Sequence, residues 1–234
     1  MTQSSRPRVI CHMTSSIDGR VVVDGWPESI ASAVHREYER IHDRYAADGW
    51  MCGRITMEPF AGGVRSENDV AREHDGNIRE DFIASGQFES YAFAIDPSGR
   101  LAWSSNAVNG DHVVAIVSEK VADDYLRFPR ERGVSYLLAG AKNIDFDVAL
   151  RKIHERFGVK TLLLEGGGRI NGSLLGAGLV DEISLILAPV TDGRIGTPAL
   201  FDVEGPATPQ RLVLEKAESL EDGLLWLRYR VERV

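Results

Sequence analysis

"TLLLEGGGRINGSLLGAGLVDEI" occupies residues 161–183: an apolar run, a carboxylate, three consecutive glycines and a second apolar pattern. With Lys160 in front, the run 160–165 is short and bounded, as a strand covered on both faces requires. Asn171 to Ala177 reads as the start of a helix. Gly166, Gly167 and Gly168 then fill a strand-to-helix turn at the carboxyl edge of a sheet, where open α/β sheets take their ligands. Backbone without Cβ lets a phosphate reach the N–H groups, and a helix N-terminus adds partial positive charge. The spacing of Gly166, Gly168 and Gly172 is one residue longer than the dinucleotide fingerprint. No acid closes the next strand, ISLILAPV, to hold a ribose hydroxyl. Two readings stand: a cradle for a phosphate-bearing cofactor, or a tight turn packing a helix onto a strand.

Working outward, short apolar runs at 8–14, 49–53, 91–96, 112–117 and 134–139 read as further buried strands. Helical spacing covers 28–48, where Ile30, Val34, Tyr38, Ile41 and Tyr45 share a face and Ser29 is placed to cap. A shorter helix is expected at 119–127, and another at 145–158 with Asp145 as N-cap and Gly158 as stop. Strands alternating with helices predict a mostly parallel sheet in a three-layer α/β/α arrangement. The segments 181–190, 209–220 and 223–234 are strand-like with no helix between them, and Glu221-Asp222-Gly223 sits at a turn. They predict an antiparallel C-terminal hairpin. Residues 61–88 are polar and Gly-punctuated, which predicts a long surface loop with a short helix. With no linker, repeat or low-complexity stretch, residues 1–234 are expected to form a single domain.

A formal net charge of −8 argues against a nucleic-acid surface, which needs clustered Lys and Arg. The apolar runs fall well short of the roughly 18 residues of a membrane helix. The N-terminus leads into VICHMT with no signal-peptide apolar region. Cys11 and Cys52 are too few and too far apart for a disulfide framework or a structural zinc, so a cytoplasmic location is expected. His35 and His42 lie seven apart on one helix, which suits a solvated or interface stripe better than a metal pair at i, i+4. No metal is expected. Arg36, Arg40 and Arg44, with Glu37 and Glu39 nearby, read as an ion-paired surface face, and the four tryptophans as core or interface.

Two more stretches flank strand ends. In CGRITME, 52–58, Arg54 and Thr56 follow a strand and open a helix, a workable pair for a phosphate or merely a solvated turn. In MTSSIDGRV, 13–21, Asp18-Gly19 is either a plain turn or part of a loop over a cofactor, with Ser15 and Ser16 beside it.

HMTSSIDGRV, GWMCGRITME, AIDPSGRL and the Glu-Gly-Gly-Gly stretch through GLVDEI resemble, in the same order, the reductase domain of riboflavin biosynthesis, the RibD C-terminal domain family. The similarity spans roughly residues 8–232. It implies a dihydrofolate-reductase-like fold, NADPH as cofactor and a homodimer. The implied substrate is 5-amino-6-(5-phosphoribosylamino)uracil or a diaminopyrimidinone ribosylamino 5′-phosphate, which takes hydride at C1′. By position, the resemblance puts the cofactor against Thr14, Arg54, Thr56, Gly167, Gly168, Arg169, Ile170, Asn171, Gly172 and Ser173. Glu165 matches an acid facing the substrate and Asp18 the acid of a Ser-x-Asp-Gly turn. Two departures bear on the substrate: His12 stands where bifunctional members carry Lys, and MEPFAGGVR replaces an Asp-Asp-Pro segment followed by Arg. No zinc-deaminase motif is present.

Hydride transfer is the cofactor's chemistry, so the protein must orient it and supply a proton. Glu165 is the first candidate for holding the substrate, or it caps the glycine turn. Asp18 orders its turn or relays a proton, and His12 is a proton donor or a satisfied core histidine. Besides the pyrimidine reductase, two readings remain: a dihydrofolate-reductase-like enzyme for another carbonyl, imine or pterin, and a non-catalytic protein that retains the fold.

Overall fold

The computed structural model describes residues 5–65, 78–203, 205 and 208–232. In chain order the elements are β1 (Arg8–Ser15), α1 (Glu28–Tyr45), β2 (Gly49–Gly53), α2 (Arg54–Ala61), β3 (Tyr91–Ile95), β4 (Ala107–Val108), β5 (Asp111–Val117), α3 (Asp123–Glu131), β6 (Ser135–Leu138), α4 (Phe146–Phe157), β7 (Thr161–Leu164), α5 (Gly168–Gly176), β8 (Glu182–Leu187), β9 (Leu212–Ser219) and β10 (Leu225–Val231). By contact density the chain divides into two compact units, Met1–Pro7 with Asp48–Lys160, and Arg8–Ala47 with Thr161–Val234.

In the first unit β2, β3 and β5 are parallel neighbours, and β5 also pairs parallel with β6 and antiparallel with the short β4. β2 is buried along its whole length. The apolar runs are continuous rather than alternating because helices cover such strands. Asp145 accepts a hydrogen bond from the Val148 N–H and Gly158 closes α4 at φ 70°, so both ends of that helix stand where local sequence puts them. Helix α3 starts four residues later than its apolar spacing predicts. Val121 N–H bonds the Ser118 carbonyl, which spends 118–121 on a turn, and Asp123 and Asp124 then fall in the first helical turn, where the dipole favours them. The expected loop at 61–88 is described only in part: residues 66–77 lie outside the described residues. Its flanks are tied down by bridges from Val64 to Leu101 and from Phe82 to Tyr136, and no helix lies in 78–88.

In the second unit the strand order is β7-β1-β8-β10-β9. β7, β1 and β8 are parallel, while β10 runs antiparallel to both β8 and β9. Glu221–Gly223 makes the turn between β9 and β10, with Asp222 in the left-handed region at φ 55°. β1 is the spine: Val9, Cys11 and Met13 are buried on one face, Ile10 and His12 on the other. Helix α1 packs against the β8–β10 side through Ala33, Val34 and Ile41, joined by Trp26, Ile186, Ala188, Leu224 and Trp226 in one cluster, and meets β1 where Tyr38 stacks on His12. Each large side chain fully buried this way contributes about 1.5–3 kcal/mol. Ser29 does not cap α1; the helix begins one residue earlier, after Pro27, whose carbonyl accepts from Ile30 and Ala31.

Candidate active site

In the second unit β7 stops at Leu164, level with Cys11, while β1 and β8 run on together to the Ser15–Leu187 pair. Glu165 therefore leaves the sheet part-way along β1, in the notch where β7 has ended. Its Oε1 lies 2.8 Å from Nδ1 of His42, which reaches over from α1. The pair is half-sheltered, with side-chain exposures of 29% for His42 and 11% for Glu165. The hydrogen bond to Glu165 is the main reason the His42 imidazole holds its proton above the usual histidine range. Sequence spacing alone places His42 in a solvated or interface stripe, because its partner is 123 residues away and no local signal marks it.

His12 is fully buried, and burial pushes its imidazole towards the neutral form. Its Nδ1 lies 3.1 Å from the Ser184 hydroxyl, its Nε2 lies 3.2 Å from the Tyr38 carbonyl, and its ring stacks on Tyr38 at 4.3 Å. The Ser184 hydroxyl accepts from the Trp226 indole at 2.9 Å, which leaves its own proton for His12 Nδ1. Both ring nitrogens are thereby satisfied inside the core.

The glycines of the opening stretch do different things. A Cβ at Gly168 would lie 2.1 Å from the Ala199 carbonyl oxygen, and one at Gly172 2.4 Å from that of Asp202. Those two positions are filled by the chain's own returning backbone, not by open space. Gly166 adopts φ 91°, which side chains resist, and a Cβ there would press on the Met13 sulfur at 3.2 Å. Gly167 alone of the four faces nothing within 4 Å. It is also the N-cap of α5, and no side chain caps that helix end. The helix starts three residues before Asn171 because the Gly167 carbonyl already accepts from Ile170 and Asn171. Asn171 is buried and donates to the Leu200 carbonyl at 3.1 Å, while its Oδ1 is buried with no partner among the described residues. Arg169 and Ser173 are exposed on the same turn, and Ser173 donates to the Arg169 carbonyl.

Thr14, half-buried near the end of β1, donates to the Ile186 carbonyl at 3.2 Å. Asp18 follows in an exposed turn, yet both its oxygens are engaged. Oδ1 accepts from the Ser16 hydroxyl at 2.6 Å and from the Asp192 N–H at 2.9 Å, and Oδ2 from the Gly193 N–H at 2.8 Å. The Ser16 hydroxyl and these two N–H groups hold its carboxyl well below the usual range. Glu165, His12, Thr14, Asp18 and the Gly167–Ser173 turn thus belong to one unit. Arg54 and Thr56 belong to the other, at the first turn of α2, where Arg54 pairs with Glu58 at 2.9 Å and Thr56 is exposed. Asp96, buried at the end of β3, feels the Arg54 charge, although burial dominates and raises its carboxyl.

The second unit thus joins parallel strands to an antiparallel hairpin and sets an acid and an open glycine at one strand end. The profile of the RibD C-terminal domain matches residues 7–226. The chain belongs to the RibD C-terminal domain family. A relative from Methanothermobacter thermautotrophicus, named 2,5-diamino-6-ribosylamino-4(3H)-pyrimidinone 5′-phosphate reductase, is 26% identical over 94% of this chain and 96% of its own length. An Aquifex aeolicus protein of the same name is 28% identical over 86% of this chain and 84% of its own. Among solved structures, a pyrimidine reductase-like protein of Corynebacterium diphtheriae superposes with a TM-score of 0.72 at 20% identity, covering 97% of this chain and 93% of that one. That likeness bears on the fold alone, which is the dihydrofolate-reductase-like one of the RibD C-terminal domain.

Proposed function

We propose that this chain is an NADPH-dependent reductase acting on a 2,5-diamino-6-ribosylamino-4(3H)-pyrimidinone 5′-phosphate, turning its ribosyl group into ribityl by hydride transfer to C1′. The observation that carries this reading is Glu165 followed at once by an open, uncapped helix start at Gly167, in a chain whose relatives bear that reaction's name over nearly their full length.

The residues present fit the cofactor. The first N–H groups of α5 suit a pyrophosphate, and Gly167 leaves room for one to approach. The unpartnered Asn171 Oδ1 suits a hydroxyl or amide donor. Bound NADPH supplies the hydride. Gly167, Gly168 and Arg169 would meet its phosphates, with Ile170, Asn171, Gly172 and Ser173 completing the turn, and Thr14, Arg54 and Thr56 would make the further contacts that the resemblance implies. Glu165 holds the substrate's amino groups. Asp18 shapes the turn after β1 and His12 packs the core. We also propose that both units act as one reductase domain, which the match across 7–226 supports. Cys11 and Cys52 are buried and form no disulfide among the described residues, which supports a cytoplasmic location. The edge strand β9, with Leu212 and Leu214 exposed, supports a homodimer.

Titration of the purified protein with NADPH and NADH by fluorescence tests the cofactor, using wild type and Gly167→Asp. The expected outcome is NADPH binding weakened at least about tenfold by the added carboxylate, since like charge repels phosphate. Turnover of the ribosylamino phosphate with NADPH then tests the substrate. No binding of either nucleotide overturns the enzyme reading, and binding without turnover overturns the substrate.

A further inference from the structure

We propose that His42 is the proton donor of this site, its imidazole held through Nδ1 by the Glu165 carboxylate so that Nε2 delivers the proton. The assignment rests on the reductase reading above and adds the acid that reading leaves unnamed.

A carboxylate oxygen 2.8 Å from Nδ1 requires a hydrogen on that nitrogen, so Glu165 settles the ring's orientation and leaves Nε2 as the exchanging position. Nε2 has no protein partner among the described residues. With 29% of its side chain exposed, His42 can exchange protons with water and still touch a ligand resting on Glu165.

The other titratable groups around the end of β7 are committed elsewhere. His12 is fully buried with both nitrogens engaged. Asp18 accepts three hydrogen bonds and stays a carboxylate. Cys11 is buried, and burial raises its thiol far above neutrality. The Tyr38 hydroxyl donates to the His12 carbonyl, and that of Tyr45 to Glu182. The charges that act on His42 agree in sign: Glu165 from β7 and Glu39 and Asp43 on its own helix all favour the imidazolium, with burial opposing them and the neutral His12 nearby on β1. An imidazole that holds its proton more tightly than usual and is orientated by a carboxylate is suited to general-acid work.

The step balances. When the ribose ring opens, the C1′–O4′ bond breaks, the N–H proton passes to O4′ and a C=N bond remains. C1′ takes hydride, the π pair moves to nitrogen, and that nitrogen takes the proton from His42 Nε2. The nicotinamide ends oxidised, and the neutral imidazole regains a proton from water.

Two readouts test the proposal. In the protein without ligands, the histidine ring resonances are followed by NMR against pH in wild type, Glu165→Gln and His42→Asn. The resonance missing from His42→Asn should titrate above the ordinary value of about 6.5 in wild type and fall towards it in Glu165→Gln. Steady-state kinetics then compare wild type with His42→Asn, in which an amide N–H stands where Nδ1–H stood but no proton can be given. The expected result is a kcat lowered by about 10²-fold with KM and NADPH affinity little changed, and loss of the alkaline limb of the wild-type profile. A kcat in His42→Asn near that of wild type with the alkaline limb intact overturns the proposal, as does a His42 that titrates at or below its ordinary value. A wild type with no turnover overturns the reductase reading and this assignment with it, and is distinguished from the other failures because the titration still reports the raised imidazole.

Discussion

Two acids follow parallel strands in the same unit, Asp18 after β1 and Glu165 after β7, and the chain treats them oppositely. Asp18 is exposed, yet three donors saturate it: one hydroxyl and two N–H groups of the segment after β8. Glu165 is far more sheltered, yet among the described residues it has one hydrogen-bond partner, His42, and its other oxygen has none. Under the roles proposed above, burial does not tell a structural carboxylate from one that holds substrate. The number of lone pairs the chain has already claimed does.

The largest effect expected from this contrast is on turnover. Glu165→Gln should lower kcat by about 10²–10⁴-fold. Asp18→Asn should leave kcat much closer to wild type, measured by NADPH oxidation with the ribosylamino phosphate. Equal losses from both would break the distinction. Next comes stability across the glycines. Gly168→Ala forces a methyl against the Ala199 carbonyl and should destabilise by about 1–3 kcal/mol in urea unfolding. Gly167→Ala meets no atom and should unfold within about 0.5 kcal/mol of wild type. The smallest effect is the pH dependence of the Asp18 turn. Its carboxyl is depressed in the folded protein, so the stabilisation is present above the unfolded value of about 3.9 and is lost as pH falls through the folded one. Asp18→Asn should melt below wild type at pH 7, and the gap should narrow as the pH falls below about 4. A gap that is constant with pH would mean the bonds do not depend on charge.

What the sequence made legible follows the range of each interaction. Asp145 and Gly158 bracket α4 correctly because a cap needs only the next turn of chain. The glycine stretch was legible as a turn and an expected cofactor site, but not as two kinds of glycine. The atoms that exclude a Cβ at Gly168 and Gly172 arrive some thirty residues later, at Ala199 and Asp202. His42 reads as part of a solvated or interface stripe for the same reason, its meaning lying in Glu165 on another element. Ser29 shows a different failure: its side chain is a good cap, but the helix already starts after Pro27, two residues before it.

The segment after β8 is laced to both neighbours. Ile17 N–H bonds the Val190 carbonyl, Val21 N–H that of Pro198, Leu200 N–H that of Gly19, Asp202 N–H that of Gly168, and Arg20 reaches the Thr197 carbonyl. These bonds join the turn after β1 to the first turn of α5 through a single intermediary strap. Amide hydrogens in all three stretches should therefore exchange with solvent as one cooperative unit, and a nucleotide gripping α5 should slow deuterium uptake at Ile17 and Val21, which it need never touch.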